Sequence, residues 1–121
     1  MNSESHGAAE LIDRVKKFAL RVIRLYSVLP STPLHQTLGK QAFRSSTSAG
    51  AHCREARRSR STAEFVSKLQ VALQELDETA YWLELIVESE ILPLERVADL
   101  RQENDELIAI LTSIVKREKI R

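Results

Sequence analysis

The strongest constraint on the fold of this chain is the spacing of its apolar residues, which recur every three or four positions along four separate segments. Such residues share one side of an α-helix, because the helix has about 3.6 residues per turn. The chain has 121 residues but only three Gly and three Pro, so few turns are available and the helices must be long. We predict an all-α fold, an up-down-up-down antiparallel four-helix bundle that forms a single domain over residues 1–121.

Local signals mark the ends of the four helices. Pro30 ends the first segment, and Thr32 followed by Pro33 is a typical N-cap with proline at the first helical position. Ser61 and Glu64 have the spacing of a capping box, in which each side chain accepts a hydrogen bond from the backbone N–H of the other residue. We predict helices over residues 8–29, 33–58, 61–89 and 93–118.

The second and fourth helices carry unusual residues on their inner faces. The predicted inner face of the second helix changes from leucine to small and polar side chains: Leu34, Leu38, Ala42, Ser45, Ala49, His52 and Ala56. Its run of Ser and Thr has low helix propensity, so tertiary packing must hold this stretch helical. In the fourth helix Asn104 is the polar member of an apolar stripe, and we expect it to be hydrogen-bonded.

The charges of the chain are divided between its two halves. Residues 1–60 contain 11 Lys and Arg against 4 Asp and Glu, a net charge of +7, whereas residues 61–121 contain 7 against 13, a net charge of −6. The basic half could face an anionic partner, or the two halves could attract each other within the fold or between subunits. The sequence alone leaves these alternatives open.

A basic cluster around the end of the second helix is the main candidate binding site. Arginines on one surface can bind phosphates in a bidentate manner, which would suit RNA or DNA. Alternatively, these cations complement the dipole at the helix C-terminus and pair with acidic residues of the other helices or of neighbouring subunits. The candidate residues are Lys40, Arg44, Arg54, Arg57, Arg58 and Arg60.

His52, Cys53 and Glu55 come closest to a catalytic or metal-binding pattern. A di-metal bundle, however, needs Glu-x-x-His on two helices together with further glutamates. Cys53 has no base placed beside it, because His52 is turned by about 100° around the helix. We therefore predict a non-enzymatic protein without metal or cofactor, in which His52, Glu55 and Asn104 belong to a structural polar network.

The location in the cell is predicted from two kinds of segment for which the sequence gives no signal, a membrane helix and a signal peptide. No apolar run approaches the roughly 18 residues that a membrane helix needs, and the N-terminus lacks the basic-then-apolar order of a signal peptide. The single cysteine, Cys53, cannot form an internal disulfide. We expect a cytoplasmic protein with no membrane partner.

The junction between the second and third helices resembles a known family. The residues that carry the resemblance are RSSTSAGAHCREA at 44–56 and KLQVALQELDETAYWL at 68–83. They are similar to the four-helix bundle proteins associated with intervening sequences of bacterial large-subunit ribosomal RNA genes. In the family's usual S-x-[PG]-[AS]-N-x-x-E-[GA] pattern His52 replaces the asparagine, whereas the pattern is matched by Ser48, Gly50, Ala51, Glu55 and Ala56.

The resemblance implies a bundle that assembles into a ring-like homopentamer, with a role that involves nucleic acid and no established enzymatic activity. Related bundles are accessory subunits of reverse transcriptases in diversity-generating retroelements, so a reverse transcriptase is an implied alternative partner. We therefore expect a nucleic-acid-associated adaptor. The alternative is a structural or protein-binding module whose basic cluster pairs with acidic faces of neighbouring subunits.

Overall fold

Four helices joined by short connections make up the computed structural model, which describes residues 3–120. They are α1 (Ser3–Ser27), α2 (Pro33–Arg57), α3 (Thr62–Glu88) and α4 (Leu94–Ile120). Each helix packs against the next one along the chain, and a smaller contact between α1 and α4 closes the bundle. The predicted all-α four-helix fold is confirmed. Residues 1, 2 and 121, which the predicted domain included, lie outside the described residues.

The first helix differs most from its predicted range of 8–29. It begins at Ser3, five residues earlier, because no proline precedes residue 8 to interrupt it. It ends at Ser27, where the chain tightens: Val28 and Leu29 donate hydrogen bonds of 3.3 and 3.2 Å to carbonyls three residues earlier. Pro30 explains this end, since a proline disfavours helical backbone in the residue before it.

Side-chain caps start α2 and α3 as the sequence indicates, with one difference. Thr32 Oγ1 accepts a hydrogen bond of 3.3 Å from the backbone N–H of His35, and Ser61 Oγ accepts one of 3.1 Å from that of Glu64. The Glu64 carboxylate, however, accepts from the backbone N–H of Arg60 at 3.3 Å. The reciprocal half of the predicted capping box is therefore wrong, because the glutamate reaches one residue further back in the turn.

Small side chains form the buried face of α2. They allow α3 to approach closely, and α2 and α3 make the most extensive helix pair in the bundle. The predicted inner face was wrong at Leu34, which is 54% exposed because it lies in the first turn of α2, at the end of the bundle. It was also wrong at His52, which is only half-buried. The residues buried on α2 are Gly39, Ala42, Ser45, Ser46, Ala49, Cys53 and Ala56.

In the stretch of α2 with low helix propensity, the hydroxyl groups of Ser45, Ser46 and Thr47 are hydrogen-bonded. Ser46 Oγ donates to the carbonyl of Phe43 at 3.1 Å, and Thr47 Oγ1 donates to the same carbonyl at 2.9 Å. Ser45 Oγ lies 2.6 Å from Thr79 Oγ1 of α3, so the two buried hydroxyls satisfy each other across the closest helix pair. Packing against α3 thus offsets the low helix propensity of this stretch.

Asn104 links α4 to α3 in the centre of the bundle. It is buried, and its Nδ2 donates a hydrogen bond of 2.9 Å to the carbonyl of Leu76. Its Oδ1 has no hydrogen-bond partner among the described residues. A side-chain amide with one bonded group defines the register between α3 and α4 while reducing the stability of the core.

Ion pairs between helices join a basic residue of the first half of the chain to acidic residues of the second half. Arg14 of α1 binds Glu103 and Glu106 of α4 at 2.7 and 3.0 Å. This guanidinium lowers the pKa of Glu103 by hydrogen bonding and by its charge, and the carboxylates raise the pKa of Arg14. The basic half therefore attracts the acidic half within the fold, across the seam where the helix contact is smallest.

Glu90 has a left-handed backbone conformation, with φ of 63°, directly after α3. The N–H groups of Ile91 and Glu90 donate to the carbonyls of Ile86 and Val87 at 3.1 and 3.0 Å, the two bonds of a Schellman motif. We expect Glu90→Gly to stabilise the protein by about 0.5 kcal/mol, because glycine adopts this conformation without steric cost. Urea unfolding would measure this change, and Ser89→Gly, at a φ of −84°, should destabilise instead.

Among residues 3–120, none of the helices combines the length and apolar character that a transmembrane span requires.

Candidate nucleic-acid interface

Most of the basic cluster lies on the side of α2 that faces away from the core. Lys40, Arg44, Arg54 and Arg58 fall within about 80° of one another around the helix, so they form one strip along it. Arg57 points to a neighbouring side, and Arg60 lies in the turn before α3. All six side chains are exposed. The outward direction follows from the buried face of α2, which lies on the opposite side.

Arg44 is the member of the cluster that is engaged within the fold. Its guanidinium forms an ion pair with Glu78 of α3 and lies 3.5 Å from Glu75 Oε2. Its Nε also donates to Gln41 at 3.0 Å, and Trp82 donates to Glu78 at 3.2 Å. The structure therefore places Arg44 in the contact between α2 and α3, where its charge is already balanced.

The other five basic residues of the cluster lack such partners. Within residues 3–120, no carboxylate lies at ion-pair distance from any of Lys40, Arg54, Arg57, Arg58 or Arg60. Arg60 contributes only its backbone N–H to Glu64. These side chains are therefore available to bind a group from outside the subunit.

His52 and Glu55 form a surface link between α2 and α3. His52 Nδ1 lies 3.3 Å from Glu55 Oε2, and Lys68 Nζ of α3 donates to the same oxygen at 3.1 Å. The Lys68 ammonium, followed by His52, lowers the pKa of Glu55. The expected bond between His52 and Glu55 is present, but it lies at the surface, and Asn104 is hydrogen-bonded separately in the core.

Cys53 is a packing residue in this structure. Its side chain is buried, and burial raises the pKa of the thiol to about 12, so it stays protonated at neutral pH. His52 is hydrogen-bonded to Glu55 instead. Over the described part of the chain, no group of three or more His, Cys, Asp and Glu residues is arranged to hold a metal ion.

An open groove of about 500 Å³ runs between α1 and α2 beside the basic strip. Its lining is mostly apolar, and its charged members are Lys16 of α1 with Arg54, Glu55 and Arg58 of α2. Leu20, which is 39% exposed, is part of the apolar lining. The apolar and small residues that line the groove are Ile12, Ala19, Leu20, Ile23, Gly50 and Ala51.

The predicted cluster did not include Lys16 of α1 or the basic residues in the last turn of α4. Lys16 joins the groove only because α1 packs beside α2. The last turn of α4 adds exposed basic residues at the end of the bundle where α2 ends, because α2 and α4 run in the same direction in an antiparallel bundle. The sequence shows that α2 and α4 both end in basic residues. That these two ends lie at the same end of the bundle follows only from the order and direction of the helices.

Comparisons with known proteins identify relatives over most of the chain. The family described as 23S rRNA-intervening sequence protein matches residues 9–113. A similar solved structure is a protein of unknown function from the S23 ribosomal protein family of Bacteroides thetaiotaomicron. It is 38% identical, with a TM-score of 0.82, and the match covers 88% of this chain and 98% of that one. No curated protein gives a match. The extent of the family match and the shared bundle lead to one assignment: this chain belongs to the 23S rRNA-intervening sequence protein family.

Proposed function

We propose that this protein is a non-enzymatic adaptor that binds nucleic acid through Arg57, Arg58 and Arg60 at the junction of α2 and α3, and that it acts as an oligomer. The observation that supports binding is the exposure of these arginines without an acidic partner in the described residues. Exposed guanidinium groups bind phosphates and release counterions from the nucleic acid. Lys40, on the outer side of α2, extends the positive surface.

Binding should depend on these arginines and on salt. We expect Arg57→Glu with Arg60→Glu to lower the affinity for structured RNA at least tenfold, because two phosphate contacts become repulsive. Fluorescence anisotropy over a series of salt concentrations would measure the affinity and its salt slope. The neutral pair Arg57→Gln with Arg60→Gln should give a smaller loss in the same direction.

A matched control separates a local contact from the effect of net charge. Arg24→Glu with Arg96→Glu changes the charge equally at the opposite end of the bundle, where both residues are exposed. Affinity should be almost unchanged in this variant. Equal losses in both double variants, or no affinity of the unmodified protein for RNA or DNA at low salt, would contradict the proposal.

Assembly of subunits is supported by two complementary surfaces. The groove between α1 and α2 is mostly apolar, and its charged lining consists of three cations, Lys16, Arg54 and Arg58, and one carboxylate, Glu55. The outer side of α3 presents Tyr81, which is 54% exposed, among the exposed acidic residues Asp77, Glu84 and Glu88. An aromatic side chain with an acidic surround suits a mostly apolar groove with a net positive lining on a second subunit.

A contact between two different surfaces of identical subunits repeats around an axis and closes into a ring if its rotation permits. The family resemblance implies a ring-like homopentamer, so five is the expected number of subunits. In this arrangement the groove takes up Lys16 and Arg54, whereas Arg57 and Arg60 remain available for nucleic acid.

A charge exchange would test this contact. We expect Lys16→Glu with Arg54→Glu to weaken assembly at least tenfold, and Glu84→Arg with Glu88→Arg to do the same, because each variant places like charges opposite each other. Combining all four substitutions should restore part of the assembly. Sedimentation velocity at several concentrations would measure it. A monomer at micromolar concentration, or assembly that is unchanged by either pair, would count against the proposed contact.

A further inference from the structure

The end of the bundle at which α2 stops carries two separate groups of exposed cations. One group, at the end of α2, consists of Arg57, Arg58 and Arg60. The other, in the last turns of α4, consists of Lys116, Arg117 and Lys119. The antiparallel course of the helices brings both groups to the same end.

The two groups stand on helices that do not touch. Among the described residues, α2 and α4 make no direct packing contact, as expected for diagonal positions in a four-helix bundle. Neighbouring helix axes in bundles lie about 8–10 Å apart, so diagonal axes are separated by roughly 11–14 Å. Long cationic side chains on axes this far apart can reach both phosphate strands that border the major groove of B-DNA, which is about 12 Å wide.

Of the side chains that the structure describes, none at this end is an exposed aromatic residue on which a base could stack. Among the described residues, the exposed aromatic side chain is Tyr81, which lies far along α3 from this end. Phe65, in the first turns of α3, packs against the core. Proteins that bind single strands commonly combine a basic groove with aromatic side chains on which the bases stack.

Within residues 3–120, this end consists of helix termini and one short connection. The connection between α2 and α3 is only four residues long, and both cationic groups stand on helix ends. Exposed cations in these positions suit contacts with the phosphate backbone, which position a protein without reading sequence.

We infer, on the basis of the proposed function, that the nucleic acid is double-stranded. The cations of α4 form the second half of its binding surface. The groups at the ends of α2 and α4 contact phosphates of the two strands. A duplex presents its two phosphate strands in a rigid array, whereas a single strand must be ordered on binding. Binding is independent of base sequence.

The experiment compares a duplex with a single strand of the same length, using the full chain and fluorescence anisotropy at low salt. We expect at least tenfold tighter binding of the duplex. RNA and DNA duplexes are measured in parallel, because both present paired phosphate backbones. The duplex that binds with higher affinity identifies the type of nucleic acid. Two duplexes of unrelated sequence should bind with the same affinity.

Substitutions in α4 test its part of the surface. Lys116→Gln with Lys119→Gln should lower duplex affinity about tenfold and reduce the slope of log affinity against log salt by about one to two. Arg24→Gln with Arg96→Gln removes the same charge at the other end and should have almost no effect. Circular dichroism confirms that each variant keeps its helices.

Negative results of these experiments distinguish a failure of the inference from a failure of the proposed function. Equal or tighter binding of the single strand overturns the inference and leaves the proposed function intact. The same holds if the α4 substitutions do not affect duplex binding. If neither RNA nor DNA binds in any form, the proposed function fails and this inference fails with it.

Discussion

Leu76→Ala is expected to reduce the free energy of unfolding by about 2–5 kcal/mol. Leu76 lies in the middle of α3 with no exposed surface. Truncation removes buried carbon atoms and leaves a cavity that the helices cannot fully close, since the surrounding core is tightly packed. The backbone carbonyl of Leu76 still accepts the hydrogen bond of Asn104, so the loss reports packing alone.

Urea unfolding followed by far-ultraviolet circular dichroism would measure this loss. The measurement is repeated at several protein concentrations, because assembly of subunits adds a stability that depends on concentration. Leu94→Ala is the matched control: Leu94 is 50% exposed at the start of α4, and its truncation should cost about 0.5 kcal/mol or less. Similar losses in the two variants would show that Leu76 does not occupy the core position described above.

Ala49→Leu should destabilise the bundle by about 3 kcal/mol, for the opposite reason. Ala49 has no exposed surface and lies on the small-residue face of α2, on the helix pair that packs most extensively. Three additional carbon atoms at this position force α2 away from its neighbours. The separation would also strain the Ser45–Thr79 contact, which requires a distance of 2.6 Å.

Ala109→Leu controls for the chemical change, because Ala109 is exposed on α4. Its effect on the free energy of unfolding should stay within about 0.5 kcal/mol. Both variants keep high helix propensity, so propensity cannot explain a difference between them. A stable Ala49→Leu variant would indicate that α2 and α3 are further apart than their small side chains suggest.

The helices and most of their ends could be predicted because their signals are local. Apolar spacing, the Thr32 and Ser61 caps and the prolines act over a few residues. The exception is the start of α1, which lies five residues earlier than predicted.

The candidate site was only partly predictable. The basic cluster could be identified from the sequence, but its members could not be sorted into engaged and available residues. Arg44 has the same local surroundings in sequence as its neighbours, and only the position of Glu75 and Glu78 on α3 distinguishes it. Lys16 joins Arg54 in the lining of the groove through helix packing alone.

By itself, the sequence determined that this protein forms long amphipathic helices and that its two halves carry opposite charge, because periodicity and composition are properties of the chain. The tertiary structure decided which charges cancel and which remain exposed. It did so because an ion pair needs two groups within a few ångströms, and residues from different helices reach that distance only after the bundle has packed. The end of the bundle where α2 and α4 both carry cations is likewise a product of helix order in space.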